Sequence, residues 1–202
     1  MRLKFAAVLM ILLCLLSACS SKETDGLQAP MDFRAALLQA GACTFQAQIT
    51  ADYGENVYEF KVDCACSADG TASITVLEPQ SIAGITAKIS ENGDELFYDG
   101  MAVAFDLLAS GNAAPVCTPS LVVDAWANAF IRAAGQEGEW LRVTYERGYD
   151  EEQLIVECWF DEKNIPICAE ICYNDETVLK MEVSDFSFVS GGNNETTEEN
   201  MG

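Results

Sequence analysis

The chain of 202 residues contains no histidine. Histidine is the commonest side-chain base and the commonest metal ligand, so its absence excludes Ser-His-Asp and Cys-His catalysis and histidine-based metal centres. The sequence also lacks a glycine-rich phosphate loop and a nucleophile elbow. Neighbouring acids such as Glu151-Glu152 and Asp161-Glu162 fall in predicted turns, where solvation does not tune a carboxyl for acid catalysis. We therefore predict a protein that is not an enzyme and holds no cofactor.

Basic residues are scarce as well. The chain has 11 Lys and Arg against 32 Asp and Glu, a formal net charge of −21. Such a surface repels nucleic acid and anionic lipid headgroups, so we predict no nucleic-acid partner. The negative charge has two explanations: it keeps the protein soluble, or it attracts a cationic partner. Solubility alone is the favoured explanation.

No apolar run reaches the roughly 20 residues that a membrane-spanning helix needs. The longest apolar run, 5–16, follows Arg2 and Lys4 and leads into Leu16-Ser17-Ala18-Cys19, which is the layout of an export signal. This ending resembles the lipobox of bacterial lipoproteins, and the resemblance implies cleavage before Cys19 and a lipid on its thiol. The chain would then be anchored to the extracytoplasmic face of the cell membrane. The alternative is an ordinary secretory signal with an incidental cysteine.

The composition divides the chain into four parts. Residues 1–18 are predicted to be a signal peptide, 19–29 the lipidated cysteine with a flexible tether, and 190–202 a disordered acidic tail. Residues 30–189 remain, which is enough for a single domain with its own core.

Nine cysteines are present, of which Cys14 leaves with the signal and Cys19 takes the lipid. Seven remain, so at least one thiol stays unpaired within the chain. Neither Cys64-Ala65-Cys66 nor the Cys168 to Cys172 spacing fits a common zinc or iron–sulfur site, so no metal is predicted. If Cys158 and Cys168 lie opposite each other across a hairpin, a disulfide between them is possible.

The hydrophobic pattern predicts two helices and about nine strands. One helix is expected from Pro30 to a stop at Gly41, and a longer one from Thr118-Pro119 to a stop at Gly135. The segments between and after them alternate apolar and polar residues, with turn residues between the alternating runs. This order predicts an α+β fold in which an antiparallel meander curls around the helices.

Three short segments resemble lipoproteins of Gram-positive anaerobes related to the LolA and LolB carriers. They are 76–85 (VLEPQSIAGI), Trp159-Phe160-Asp161 before Ile165-Pro166, and Ala169-Glu170-Ile171. The resemblance implies a strongly curved antiparallel half-barrel, the LolA-like fold, with helices covering its concave face. Some clostridial members of this group act in spore germination, which is a further implied role.

A curled sheet with a helix over it can leave an apolar cavity. Each methylene of an acyl chain buried there stabilises the bound state by about 0.8 kcal/mol. The alternative is that the same residues form a core without a cavity. The side chains predicted to line the cavity are large and apolar: Val122, Trp126 and Phe130 on the helix, and Phe45, Tyr58, Phe60 and Trp140 on strands.

Two functions follow from these alternatives. A lipoprotein with an open cavity would bind an acyl chain, a lipid or a lipidated partner. A lipoprotein with a filled core would dock an envelope or spore protein through its surface. An unfilled apolar space under the helix favours the first, and dense packing with an exposed edge strand or apolar patch favours the second.

Overall fold

The computed structural model describes residues 25–190, except for residues 53, 55, 92, 106, 107, 110, 111, 149–152, 174 and 175. The predicted signal peptide, Cys19, the first part of the tether and the tail beyond residue 190 lie outside the described residues.

The described elements are two α-helices, a short 3-10 helix at Pro115–Cys117 and thirteen strands. The helices are α1 (Asp25–Ala40) and α2 (Thr118–Asn128). The strands are β1 (Gly41–Asp52), β2 (Val57–Ser67), β3 (Ala72–Glu78), β4 (Thr86–Ile89), β5 (Asp94–Tyr98), β6 (Met101–Phe105), β7 (Leu108–Ala109), β8 (Asn112–Ala113), β9 (Phe130–Glu137), β10 (Trp140–Arg147), β11 (Leu154–Phe160), β12 (Pro166–Tyr173) and β13 (Glu176–Ser190).

Eleven strands form one antiparallel sheet in the order β6-β5-β4-β3-β2-β1-β13-β12-β11-β10-β9. The first and last strands therefore lie side by side, with Gly41 opposite Ser190 and Ala51 opposite Leu179. Strands β6 and β9 are the two edges, and β7 and β8 form a separate hairpin. The predicted α+β fold, a curved antiparallel sheet with helices over its concave face, is confirmed.

One face of the sheet carries the core. In β11 the side chains of Leu154, Val156, Cys158 and Phe160 are buried and the residues between them are half-buried. This period of two is the pattern of a strand with one face on the core. The buried faces of all the long strands together form the surface on which both helices pack.

Helix α2 is buried on nearly all sides, because nine of its eleven residues are buried. Its one half-buried acid, Asp124, pairs with Arg147 of β10 at 2.5 Å. The predicted extension to Gly135 is wrong, since the helix ends at Asn128 and Ala129 is extended. Residues 130–137 instead form β9, where hydrogen bonding to β10 replaces the helical turn.

Helix α1 begins at Asp25, five residues before the predicted start, and contains Pro30. Its inner face buries Pro30, Phe33 and Leu37 against the sheet. Gly41, at a φ of 83°, then turns the chain directly into β1, a conformation that glycine adopts without strain. Neither helix of the described part of the chain has the length and apolarity to cross a bilayer.

Candidate functional site

The space beneath the two helices is filled by aromatic rings. The ring of Trp126 is fully buried and lies 5.4 Å from Phe33 and 6.2 Å from Phe45, between centroids. Phe160 and Phe186 complete the cluster at 6.4 and 6.0 Å from the same indole. The indole Nε1 donates to the Sγ of Cys158 at 3.1 Å, so its polar atom is satisfied within the core.

The residues predicted to line a cavity fall into two groups. Phe45, Val122 and Trp126 are buried at the centre of the core, and Phe60 packs against it half-buried. The other three are exposed: Tyr58 at 47%, Phe130 at 69% and Trp140 at 43%. Phe130 is exposed because it begins the edge strand β9, and Tyr58 and Trp140 lie at strand ends.

A guanidinium group joins the two helices. Arg34 of α1 donates from Nε to the carbonyl of Trp126 at 2.7 Å and from Nη2 to the carbonyl of Ala129 at 2.6 Å. A longer bond, 3.4 Å, reaches the carbonyl of Ala125. The last carbonyls of a helix have no partner within the helix and carry the negative end of its dipole. Arg34 therefore caps α2 and holds α1 over it.

The buried ionisable groups near this contact stay neutral. Burial raises the pKa of Tyr145 well above its ordinary value. Its hydroxyl has no hydrogen-bond partner among the described residues, and the Arg34 guanidinium lies 5.9 Å from its ring centroid. Burial also raises the pKa of the Cys158 thiol, against a smaller lowering by the Trp126 hydrogen bond. The Cys158 side chain thus behaves as a small apolar group.

The seven cysteines of the described residues are all free. The condition for a Cys158–Cys168 disulfide is not met in this register, because Cys158 lies opposite Ala169 while Cys168 lies opposite Trp159. Neighbouring residues of a strand point to opposite faces, so this offset of one residue separates the two thiols. No group of three or more metal-binding side chains with suitable geometry occurs in the residues described.

The edge strand β9 is flanked by a groove on each face. The concave-side groove has a volume of about 910 Å³ and runs between β9, the first turn of α1 and the β11–β12 turn. The convex-side groove, of about 440 Å³, is lined by residues 133–137 with Arg142 and Thr144. Arg142 and Thr144 alternate with the buried Val143 and Tyr145, which places them on the outer face of the sheet.

The concave-side groove is acidic. Its charged lining consists of Glu139, Asp161 and Glu162 against one basic residue, Arg132. Asp161 accepts backbone hydrogen bonds within its own turn, from the amides of residues 163 and 165 at 2.9 and 2.8 Å. Glu139 and Glu162 are exposed. The groove therefore favours positively charged side chains.

The one basic side chain that lines the convex-side groove, Arg142, is already paired. Arg142 donates to Glu137 at 3.2 Å and to Glu157 at 2.5 Å, and these bonds raise its pKa. Its guanidinium also lies 5.5 Å from the ring centroid of Trp159. Little positive charge on this side of β9 remains available to an acidic partner.

Sequence reasoning missed β9 because 130–137 does not alternate between buried and exposed residues. The signal that could have found it is Glu137-Gly138-Glu139, directly before the strand that starts at Trp140. Gly138 has a φ of 64°, as a tight hairpin turn requires. A turn at this place implies a strand before it as well as after it.

No family model matches the chain, and no curated protein matches it by sequence. Similar solved structures include a LolA superfamily protein from Nitrosomonas europaea, 8% identical with a TM-score of 0.47, which covers 81% of this chain and 93% of its own. A putative outer membrane lipoprotein-sorting protein domain from Vibrio parahaemolyticus has 9% identity, a TM-score of 0.46 and coverages of 86% and 96%. LprF from Mycobacterium bovis has 12% identity, a TM-score of 0.39 and coverages of 81% and 93%. LolA-superfamily structures are thus among those similar to this chain, at identities that establish no family for it.

Proposed function

We propose that this protein is a lipid-anchored, extracytoplasmic docking protein without catalytic activity, which binds a segment of an envelope or spore protein along β9. The observation that carries the proposal is an exposed edge strand with a groove on each face. The filled space beneath α2 supports the same choice, since the predicted lining residues Val122 and Trp126 are already fully packed.

The backbone of β9 can accept an added strand beside most of its residues, with the exception of Ala134, whose carbonyl oxygen lies against Gly26 of α1. An edge strand presents a row of peptide groups that pair readily with another chain. The segment Ala133-Ala134-Gly135 keeps its side chains small and lines both grooves. A partner strand would hydrogen-bond to the backbone, while its alternate side chains would enter the two grooves in turn.

Charge selects the kind of partner. The concave-side groove has more acidic than basic side chains, so a segment with lysine or arginine at every second position fits it best. The whole chain repels other acidic surfaces at a net charge of −21. An exposed basic strand or terminus of an envelope protein satisfies both conditions.

The proposed anchor brings this site close to the membrane. Helix α1 begins six residues after Cys19, and its Gly26 and Leu27 line the concave-side groove. Six extended residues span at most about 20 Å. A partner bound along β9 would therefore be a membrane protein or a protein held at the membrane surface.

Site-specific crosslinking in the native envelope tests the proposal. A photo-reactive benzophenone residue replaces Gln136 in β9 or, as a matched control, the exposed Glu59 in β2. We expect one discrete protein adduct at position 136 and none at position 59. The adduct should weaken at least fivefold when Glu139→Lys and Glu162→Lys are combined, and persist in the charge-matched variant Glu59→Lys with Glu78→Lys. Adducts of equal strength at both positions would contradict docking at β9.

A second candidate function, binding of an acyl chain or lipidated partner, is favoured by the Arg34 contact. The Arg34 hydrogen bonds join α1 to α2, next to the ring contact between Phe33 and Trp126. If α1 lifted, the rings of Phe33 and Trp126 would separate and apolar surface would open for an acyl chain.

Native mass spectrometry of the mature chain separates the two functions. Acyl binding predicts stoichiometric fatty acid that increases when Arg34→Ala loosens α1 and is lost in a Trp126→Ala variant that remains folded. Docking at β9 predicts no change in lipid content in either variant. Failure of added fatty acid to bind the Arg34→Ala variant would exclude the acyl function.

A further inference from the structure

Helix α1 carries a second apolar stripe on its solvent side. Leu27 is 42% exposed, and Met31 and Leu38 are each 50% exposed. Together with the exposed Ala35 they follow the spacing i, i+4, i+8, i+11, which places all four on one side of a helix. We refer to Leu27, Met31, Ala35 and Leu38 as the outer stripe.

The outer stripe is distinct from the face that holds α1 on the sheet, which consists of Pro30, Phe33 and Leu37. A helix at the surface of a soluble protein normally has one apolar face and one polar face. Here the solvent side carries the outer stripe next to polar residues, so α1 has apolar side chains on both sides. An exposed apolar stripe of this kind marks a surface that contacts a protein or a membrane.

On α1 itself the outer stripe has few charged neighbours, although Leu27, at its N-terminal end, borders the acidic concave-side groove. Its exposed neighbours on α1 are Gln28, Asp32 and Gln39, so one acid stands among them in a chain that has 32. Between Met31 and Leu38, where Asp32 is the one acid of α1, this side of the helix repels headgroups less than the rest of the acidic surface does. Uncharged amides beside apolar side chains suit the boundary between headgroups and acyl chains.

We infer that the outer stripe rests on the lipid bilayer, with α1 parallel to the membrane plane. The inference rests on the proposed anchor at Cys19 and goes beyond docking at β9. A lipid six residues before Asp25 keeps the first turn of α1 within about 20 Å of the bilayer. Apolar faces of interfacial helices lie about 5–10 Å deep in the headgroup boundary, and a second membrane contact strengthens a lipid anchor.

This contact would orient the whole domain. The concave side of the sheet, covered by α1, faces the membrane, and the outer face with Arg142 and Thr144 faces away from it. The edge strand β9 then lies to the side. Partners would approach it along the membrane surface.

The test uses the full-length lipidated chain reconstituted in phosphatidylcholine vesicles. A benzophenone residue replaces Met31 or Leu38 in the outer stripe. As a control it replaces Met101 of β6, which is 65% exposed and lies on the opposite edge strand of the sheet. Mass spectrometry of the Cys19 peptide and flotation with the vesicles establish separately whether the chain is lipidated and bound.

We expect lipid adducts at least fivefold more abundant at positions 31 and 38 than at position 101. A benzophenone at Ala35 should lose most of its lipid adduct in the double variant Met31→Gln, Leu38→Gln. Equal adducts at all positions, in a chain that floats, would overturn the membrane contact and leave the anchor intact. Adducts to a second copy of the chain at position 31 would assign the outer stripe to a dimer. An unlipidated chain that does not float would overturn the anchor and the contact together.

Discussion

Helices α1 and α2 both cover the concave face of the sheet, but they differ in how much of their surface is buried. Helix α2 has nine of eleven residues buried and has its C-terminus capped by a side chain from α1. Helix α1 buries one face and exposes the outer stripe. The helix with the stronger apolar pattern is thus part of the core, and the more mixed helix α1 faces the surroundings. An apolar stripe in a sequence therefore identifies burial more reliably than it identifies a binding site.

The largest effect expected from this comparison is that of Trp126→Ala in α2. Removal of a fully buried indole should lower the free energy of unfolding by about 3–5 kcal/mol, because it leaves a cavity among Phe33, Phe45 and Phe160. Urea denaturation measures it. The control Phe130→Ala, at a side chain 69% exposed, should change stability by about 0.5 kcal/mol or less. Equal losses in the two variants would contradict the core role of α2.

A smaller effect is expected where the two helices meet. Arg34→Ala leaves the last carbonyls of α2 without their charged donor and should cost about 1–3 kcal/mol. Hydrogen exchange should then become faster in α1 than in α2, because α2 is also held on all other sides. Arg34→Lys keeps the charge but lacks the forked geometry, so it should recover part of the loss. Unchanged exchange in α1 would show that Arg34 does not hold the helix.

The free energy of unfolding should decrease gradually at alkaline pH, because a buried thiol next to α2 titrates differently in the folded and unfolded chain. Burial raises the pKa of Cys117, the residue before α2, from 9.0 to about 12. Above pH 9 the unfolded chain loses this proton while the folded chain keeps it. The contribution of such a thiol to the free energy of unfolding is therefore complete below pH 9. It falls by about 1.4 kcal/mol per pH unit as the pH rises from 9 towards 12.

Urea denaturation between pH 8 and pH 10 measures this slope. Cys117→Ala should make it shallower by the contribution of one thiol, whereas Gln28→Ala in α1 should leave it unchanged. A Cys117→Ala variant with the same slope as the parent chain would show that this thiol does not titrate differently in the two states.

The smallest effect is expected in the outer stripe of α1. Met31→Gln and Leu38→Gln should each change the free energy of unfolding by about 0.5 kcal/mol or less, because both side chains are half exposed. Urea denaturation in the absence of lipid is the measurement. A loss as large as that of Trp126→Ala would mean that the outer stripe is packed within the protein.

Local patterns allowed most of the architecture to be predicted. The alternation in β1 and β11 identifies strands because each has one face on the core. Thr118-Pro119 identifies the start of α2 because proline is favoured at the first position of a helix, which is also a local property. The end of α2 could not be predicted, because residues 129–133 continue a helical pattern and only their pairing with β10 makes them a strand.

The site was less predictable for the same physical reason. The register between β11 and β12 depends on the irregularity between Trp159 and Phe160. No residue type at this place predicts such an irregularity. That single offset decides whether Cys158 and Cys168 face each other. Similarly, the exposure of Phe130 and the grooves beside β9 depend on which strand ends the sheet, and this is a property of the whole chain order.

The central pairing of β1 with β13 has a consequence for how the protein is made. Because a chain is synthesised from its N-terminus, β1 is made long before β13 and at first lacks one of its two neighbours in the sheet. During that time the middle of the future sheet is an open edge, which is prone to wrong pairing. The last strand to arrive completes the sheet at its centre, and a chain truncated within β13 would lose that central pairing along with its C-terminus.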